Sequence, residues 1–133
     1  MKGVCLPLPI EATSLAGVTV FVIEDESLVL VNLEDMLEEM GCVLVGPAMR
    51  LDQAEAMLEQ ACGADIAVLD VNIGGQPVFP FALKLRDHGV PLVLATGYGR
   101  DGLPEEWRGA TVLSKPYTFD DLAQALHQAR GAA

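Results

Sequence analysis

Five short, largely apolar runs recur along the chain, and each is followed by a polar residue or a turn. The runs cover residues 18–23, 42–45, 65–69, 91–95 and 110–113. Apolar residues follow one another in these runs instead of alternating with polar ones, which is typical of strands buried on both faces of a parallel sheet. Parallel neighbours need long crossover connections, so the pattern favours an α/β fold.

The segments between the runs have the spacing of amphipathic helices. Helices are predicted over residues 27–40, 52–61, 78–87 and 118–130, with Gly41 ending the first and a cap of Thr118 and Asp121 on the last. In the first helix the residues expected to face inward are Leu28, Val31, Leu33, Met36, Leu37 and Met40. In the other three they are Ala54, Met57, Leu58 and Ala61; Phe81, Ala82 and Leu85; and Leu122, Ala125, Leu126 and Ala129.

This alternation predicts a (βα)5 doubly wound, five-stranded parallel sheet with helices on both faces. The fourth connection is the exception, because residues 96–109 contain four glycines and Pro104. We expect a short or irregular fourth helix there, with about one turn around residues 104–108.

Length and charge limit the function classes. The 133 residues carry 8 Lys+Arg against 19 Asp+Glu, a formal net charge of −11. Such an acidic surface repels phosphate backbones and anionic lipids, so neither nucleic acid nor a membrane is the expected partner. The length suits one domain, predicted over residues 18–133 and preceded by an N-terminal extension over residues 1–17.

The cysteines and the first residues favour a cytoplasmic protein. Cys5, Cys42 and Cys62 lack the spacing of a metal site, so they are interpreted as small apolar residues in a reducing compartment. Residues 1–17 lack the continuous apolar region of a signal peptide, and no run approaches the ~20 residues of a membrane span.

Polar residues at the ends of the predicted strands carry the chemistry. Glu24 and Asp25 follow the first run, Asp70 the third, Thr96 the fourth and Lys115 the fifth. Each alone has an ordinary explanation, such as favourable charge at a helix N-terminus or a solvated lysine. Because the carboxyl ends of parallel strands meet at one edge of the sheet, we expect these five side chains to lie together.

Carboxylates, a hydroxyl and an ammonium in one place suit a divalent cation and a phosphoryl group. Neighbouring carboxylates are most stable with a cation between them, and Mg²⁺ prefers oxygen ligands. An ionised aspartate can attack phosphorus and form an aspartyl phosphate. Lys115 and the Thr96 hydroxyl could then meet the charge on the transferring group.

The motifs at these positions resemble the receiver domain of two-component response regulators. They are Ile-Glu-Asp-Glu at 23–26, Leu-Asp-Val-Asn at 69–72, Ala-Thr-Gly at 95–97 and Ser-Lys-Pro at 114–116. The resemblance implies a flavodoxin-like sheet with strand order 2-1-3-4-5 and a cis bond before Pro116. It also implies roles for the site residues: Asp70 as phosphoacceptor, Thr96 and Lys115 on the phosphoryl oxygens, and Glu24, Asp25, Asp70 and the backbone carbonyl of Asn72 on Mg²⁺.

Two departures from the family pattern stand out. Residues 94–98 are only in part similar to the Phe-Ala-Thr-Gly-x-Tyr motif of an alphaproteobacterial receiver subgroup, because Leu94 replaces the Phe and Tyr98 comes one residue early. The position three residues before the lysine, usually Tyr or Phe, is Val112. We therefore hypothesise that the loop over residues 96–108, with Tyr98 and Trp107, carries the conformational signal.

The resemblance implies a single-domain response regulator that accepts a phosphoryl group from a sensor histidine kinase or a phosphotransfer protein. Output would go through protein contacts with the kinase or a downstream target, and the protein would not be a turnover enzyme. One alternative is an interaction module with the receiver fold and no phosphorylation. Another, an aspartyl-nucleophile phosphatase, is disfavoured because Asn72 stands where that chemistry needs a second aspartate.

Overall fold

The computed structural model describes residues 15–131 and has a central five-stranded parallel sheet. The sheet strands are β1 (Thr19–Ile23), β2 (Val43–Ala48), β3 (Ile66–Asp70), β6 (Leu92–Thr96) and β7 (Thr111–Ser114). Their spatial order is β2-β1-β3-β6-β7, all in parallel pairs. Numbered along the chain without the small hairpin described below, this is the order 2-1-3-4-5, so the predicted sheet is confirmed.

Within residues 15–131, five helices cover the two faces of the sheet. They are α1 (Ser27–Glu39), α2 (Leu51–Ala56), α3 (Leu58–Cys62), α4 (Phe79–Asp87) and α5 (Phe119–Gly131). One buried cluster joins one face of the sheet to α1 and α5, and a second joins the other face to α2, α3 and α4. The predicted doubly wound arrangement, with helices on both faces of the sheet, is therefore confirmed.

The inward face of α1 differs from the prediction at two positions. Leu33, Leu37 and Met40 are buried as expected, but Leu28 is 81% exposed and Val31 is 51% exposed. At 3.6 residues per turn, these two lie on nearly the opposite side of the helix from the buried face. The apolar residues of this helix are spread too far around its axis for all of them to reach the core.

The predicted helix over residues 52–61 is two short helices, with the break at Met57. Ala54 and Ala61 are buried as predicted, whereas Met57 and Leu58 are half-buried. The two remaining helices follow the prediction, with the expected inward residues buried. The Thr118 hydroxyl accepts a hydrogen bond from the Asp121 N–H at 3.1 Å, and the Thr118 N–H donates to Asp121 Oδ2 at 3.0 Å, forming the predicted cap.

The connection between β6 and β7 has only two short 3₁₀ turns, Arg100–Gly102 and Glu105–Trp107, as predicted for a short or irregular fourth helix. Trp107 is only 4% exposed; its ring centroid lies 5.5 Å from that of Phe79 and 4.3 Å from the Arg86 guanidinium carbon. Arg100 donates hydrogen bonds to the carbonyl oxygens of Arg108 and Ala110. Side chains therefore fix a segment that lacks a regular backbone ladder.

A small hairpin after β3 was not predicted. Its strands β4 (Asn72–Ile73) and β5 (Gln76–Pro77) pair antiparallel around the turn residues Gly74 and Gly75. Both glycines have positive φ, 58° and 84°, which a two-residue type I′ turn requires at both positions. A Gly-Gly pair is one of the recognised signals of such a turn.

The amino-terminal part of the described chain is packed into the domain. Leu15 is fully buried, and its carbonyl accepts hydrogen bonds from the Val18 N–H and the Cys42 thiol. Most of the predicted extension, including Cys5, lies outside the described residues. Within residues 15–131, no helix is both long and apolar enough to cross a membrane.

Candidate functional site

The five predicted strand-end residues meet at the carboxyl edge of the sheet. Asp70 and Thr96 are the last residues of β3 and β6, Glu24 and Asp25 follow β1 directly, and Lys115 follows β7. The parallel register accounts for this meeting, since Ile23 is level with Leu69, Asp70 with Ala95, and Thr96 with Ser114. The four strands β1, β3, β6 and β7 therefore end at nearly the same level of the sheet.

Lys115 is the shared counter-charge of the site. Its Nζ lies 2.8 Å from Asp70 Oδ2, 2.9 Å from Glu24 Oε1 and 3.8 Å from Glu26 Oε1. The side chains of Glu24 and Asp70 are only 2% and 9% exposed, so this ammonium offsets part of the cost of burying two carboxylates. The Lys115 N–H donates to the Thr96 carbonyl at 2.9 Å, which fixes the backbone that carries the ammonium. The Lys115–Pro116 bond is cis, as the resemblance implied.

The charges around Lys115 change two protonation equilibria. Burial raises the pKa of Glu24 to about 7, although the hydrogen bonds from Lys115 and from the Glu26 N–H act in the opposite direction. Burial alone would lower the pKa of Lys115, but its hydrogen bonds to Asp70 and Glu24 outweigh that effect and raise it above its usual range. The ammonium therefore stays charged, while Glu24 keeps its proton up to about pH 7.

The hairpin positions two of the acids. The Asn72 N–H donates to Asp70 Oδ1 at 3.1 Å, so both oxygens of Asp70 are held. The Gly74 N–H donates to Asp25 Oδ2 at 2.9 Å and ties the turn to the loop after β1. The contact of Gly74 was not predicted. The Gly-Gly pair would have indicated the turn, but nothing in the sequence shows that the turn reaches Asp25.

The Thr96 hydroxyl is buried and oriented by its own loop. Thr96 is 2% exposed, and its Oγ1 accepts a hydrogen bond from the Tyr98 N–H at 3.1 Å. A hydroxyl that accepts one hydrogen bond keeps its own proton available to donate. Tyr98 itself is 83% exposed and lines an open cleft at the carboxyl edge of the sheet. By contrast, Trp107 packs against α4. Val112 is half-buried and packs against the core cluster that contains Trp107.

Four carboxylates lie close enough to hold one metal ion. Single oxygens of Glu24, Asp25, Glu26 and Asp70 all lie within 4.8 Å of one another. Hard divalent cations prefer such oxygen donors, so the residues fit a metal of this class. Asn72 lines the same cleft, which has a volume of about 440 Å³. Glu26 was not among the predicted ligands, although it directly follows the predicted acidic pair.

One further residue near the site was not predicted. Tyr117 follows Lys115 by two positions, and its buried hydroxyl has no hydrogen-bond partner within residues 15–131. Burial raises the pKa of Tyr117 to about 12, and the charges of Glu24 and Asp70 act in the same direction. Only the folded chain shows that this hydroxyl is both buried and close to the charged cluster.

Comparisons with known proteins agree with this fold. No family model matches the chain. The transcriptional regulatory protein PdtaR of Mycobacterium tuberculosis is 30% identical over 115 residues, which are 83% of this chain and 55% of PdtaR. The chain thus spans about half the length of this curated relative.

Solved structures extend the comparison. SdrG from Sphingomonas melonis Fr1 is 37% identical, with a TM-score of 0.75 over 85% of this chain and 96% of SdrG. The response regulator PhyR from Brucella abortus, 23% identical, has the same fold with a TM-score of 0.77 over 92% of this chain and 51% of PhyR. A response regulator receiver protein from Sinorhizobium medicae, 24% identical, shares the fold with a TM-score of 0.70. The strand order, the match to nearly all of SdrG and the shared receiver fold show that this chain belongs to the receiver-domain family of response regulators.

Proposed function

We propose that this domain accepts a phosphoryl group on Asp70 and signals through protein contacts. The observation that carries the proposal is the placement of Asp70: its carboxylate is buried at the carboxyl edge of the sheet, with the Lys115 ammonium at 2.8 Å and three further carboxylates around it. An ordinary structural ion pair does not require so many acids at one lysine, because like charges at this distance repel one another.

The chemistry is a phosphoryl transfer between a phosphorylated histidine and Asp70. An oxygen of Asp70 attacks the phosphorus, the P–N bond breaks, and its electron pair remains on the imidazole nitrogen. The Lys115 ammonium and the Thr96 O–H stabilise the negative charge on the phosphoryl oxygens. Mg²⁺, held by Glu24, Asp25, Asp70 and the Asn72 backbone carbonyl, would neutralise further charge on those oxygens.

We propose a sensor histidine kinase or a phosphotransfer protein as the donor, because these partners present a phosphohistidine. A solved structure of the BeF3-activated conformation of SdrG, which is 37% identical to this chain, supports the acceptance of a phosphoryl group by Asp70, because beryllofluoride imitates a phosphoryl group on a carboxylate. The formal net charge of −11 supports a protein partner with a basic surface, not a nucleic acid. The domain itself would be a phosphoacceptor, not a turnover enzyme.

The proposal is tested by incubating the protein with acetyl phosphate and Mg²⁺ and measuring its intact mass. We expect one added phosphoryl group in the wild type and none in Asp70→Asn. The matched control is Asp120→Asn, which changes an exposed aspartate in the first turn of α5 and should be phosphorylated like the wild type.

Two results would contradict the proposal. A wild type that gains no mass would favour the unphosphorylated interaction module. An adduct that persists in Asp70→Asn would show that another residue accepts the group. Once the acceptor is established, phosphotransfer from a set of histidine kinases, compared by initial rate, identifies the donor.

A further inference from the structure

Glu26 adds a carboxylate to the cleft that the proposed chemistry does not use. It directly precedes α1, and its side chain forms no hydrogen bond that caps this helix. Hydrogen bonds fix its backbone: the Glu26 N–H donates to Glu24 Oε2 at 3.1 Å, and its carbonyl accepts from the Leu30 N–H at 2.9 Å. Because the side chain is 67% exposed, neither helix capping nor burial explains a carboxylate at this place.

The Glu26 carboxylate lies at the open side of the cleft, close to the proposed acceptor. It lines the cleft together with Asp70, and one of its oxygens is within 4.8 Å of an Asp70 oxygen. Its Oε1 is 3.8 Å from Lys115 Nζ, whereas Asp70 and Glu24 hold the same ammonium at 2.8 and 2.9 Å. Lys115 is thus already shared by two buried carboxylates, and it balances the charge of Glu26 only in part.

A negative charge at this place affects different phosphoryl donors to different extents. At a separation of about 5 Å two charges still interact appreciably in water. Acetyl phosphate is a dianion at neutral pH, and its leaving group, acetate, is also an anion. In a phosphohistidine the phosphorus is bound to an imidazole ring, which is neutral, or positively charged when its second nitrogen is protonated. Glu26 therefore repels acetyl phosphate more strongly than it repels a phosphohistidine.

A bound cation does not remove this difference. Coulomb energies add, so a cation held by the other three carboxylates leaves the contribution of Glu26 in place. The carboxylate is also exposed, which means that an approaching donor meets its charge before it reaches Asp70.

We propose that Glu26 is a specificity-determining residue that favours phosphohistidine donors over small anionic phosphoryl donors. It makes and breaks no bond. In both reactions an Asp70 oxygen attacks the phosphorus, and the electron pair of the broken bond stays on the leaving group, either an acetate oxygen or an imidazole nitrogen. This inference rests on the proposed function and adds to it the class of donor that the cleft disfavours.

The first test removes the charge and keeps the size of the side chain. Initial rates of phosphorylation of the wild type and Glu26→Gln are measured by intact mass at saturating Mg²⁺. The donors are acetyl phosphate and phosphoimidazole, which has the P–N bond of a phosphohistidine. At about 0.15 M ionic strength, Glu26→Gln should react about fivefold faster with acetyl phosphate and less than about twofold faster with phosphoimidazole. An unchanged ratio between the two donors overturns the inference.

Glu39→Gln is the matched control, because it changes the net charge by the same amount. Glu39 is exposed and ends α1, about 20 Å along the helix axis from Glu26. Its rates with both donors should equal those of the wild type. An equal gain in Glu39→Gln would show an effect of net charge alone and would overturn the role of Glu26.

Ionic strength gives a readout that a structural role of Glu26 would not change. At about 1 M salt the Debye length falls to about 3 Å. The advantage of Glu26→Gln over the wild type with acetyl phosphate should then shrink to less than about twofold. An advantage that does not depend on salt contradicts an electrostatic role.

Mg²⁺ affinity separates this role from that of a metal ligand. Loss of a nearby charge alone should raise the Mg²⁺ dissociation constant of Glu26→Gln about fivefold, measured by calorimetry. An increase of about a hundredfold or more would show that Glu26 binds the metal directly, and it would overturn the inference.

The two proposals fail in different ways. The repulsion slows acetyl phosphate without excluding it, so the wild type should still be phosphorylated by both donors. If neither donor phosphorylates the wild type, the proposed function fails and this inference fails with it. If the wild type is phosphorylated on Asp70 and Glu26→Gln shows the same ratio of rates, only the role of Glu26 is overturned.

Discussion

At the amino edge of the sheet Asp65 is tied to Thr19, whereas at the carboxyl edge Glu24 shares Lys115 with Asp70. The exposed Asp65 carboxylate accepts hydrogen bonds from the Thr19 N–H at 2.9 Å and from its hydroxyl at 3.0 Å. The hydrogen bond from the Thr19 N–H is the main reason that the pKa of Asp65 is lowered. Burial instead raises the pKa of Glu24 to about 7.

The difference shows that an ionised carboxyl group has opposite effects on stability at the two edges of the sheet. Asp65 is charged, solvated and surrounded by donors, so its ionised form stabilises the fold. Glu24 is held out of water among other acids, so its ionised form opposes folding unless a cation is near. The amino edge thus contributes stability, whereas the carboxyl edge holds four carboxylates near a single ammonium, so a bound cation would stabilise it further.

The largest effect is expected from Lys115→Met, which removes the counter-charge of the carboxyl edge. Glu24 and Asp70 then remain buried without a cation, so the free energy of unfolding at pH 8 without Mg²⁺ should fall by about 3 kcal/mol. Urea denaturation measures the change. The loss should be smaller at pH 5, where Glu24 is protonated.

Lys84→Met is the matched control for this variant. Lys84 pairs with Glu55 at 2.8 Å, but both side chains are more than 40% exposed. Exposed pairs contribute at most about 1 kcal/mol, so the change should be small at both pH values. Equal losses in the two variants would contradict the contrast between a buried and an exposed lysine.

The next effect is the pH dependence of stability that Glu24 causes. Because the folded chain holds this proton up to about pH 7 and the unfolded chain only up to about 4.5, stability is lost as the pH rises between those values. We expect Glu24→Gln to remove about 2 kcal/mol of the wild-type loss between pH 5 and pH 8, measured by urea denaturation without Mg²⁺.

The matched control is Glu26→Gln, because the Glu26 side chain is 67% exposed. Its pH profile should follow that of the wild type. A Glu24→Gln profile as steep as the wild-type profile would show that burial does not raise the pKa of Glu24.

The smallest effect is expected at the amino edge. Asp65→Ala removes the two hydrogen bonds from Thr19 and should lower the free energy of unfolding at pH 7 by about 1 kcal/mol. Because the pKa of Asp65 is lowered by folding, the difference from the wild type should shrink as the pH falls below 3.8. Phosphoryl uptake from acetyl phosphate should not change. A loss of uptake would show that the two edges are coupled.

Much of the architecture could be predicted because its signals are local. Apolar runs predicted the five sheet strands, helical spacing predicted the helices between them, and Thr118 with Asp121 predicted the cap of α5. The glycines and Pro104 between β6 and β7 predicted the irregular connection that the structure has there. In each case the physical cause acts within a few residues of the chain.

Other features could not be predicted because they depend on what a residue meets across the fold. Leu28 and Val31 are apolar but lie on the outer side of α1, since the sheet covers only one side of that helix. The contact of Gly74 with Asp25 joins residues 49 positions apart. Glu26 joins the acidic cluster because the chain turns into α1 there, which no spacing rule indicates.

The sequence by itself determined the sheet, its crossovers and the set of polar residues at its carboxyl edge, because hydrophobic patterning and strand ends are written along the chain. Only the tertiary structure decided how the charges are shared: one ammonium for Glu24 and Asp70, a carboxylate whose pKa is near 7, and a tyrosine hydroxyl without a partner. The reason is that desolvation and pairing depend on distances between side chains that are remote in sequence.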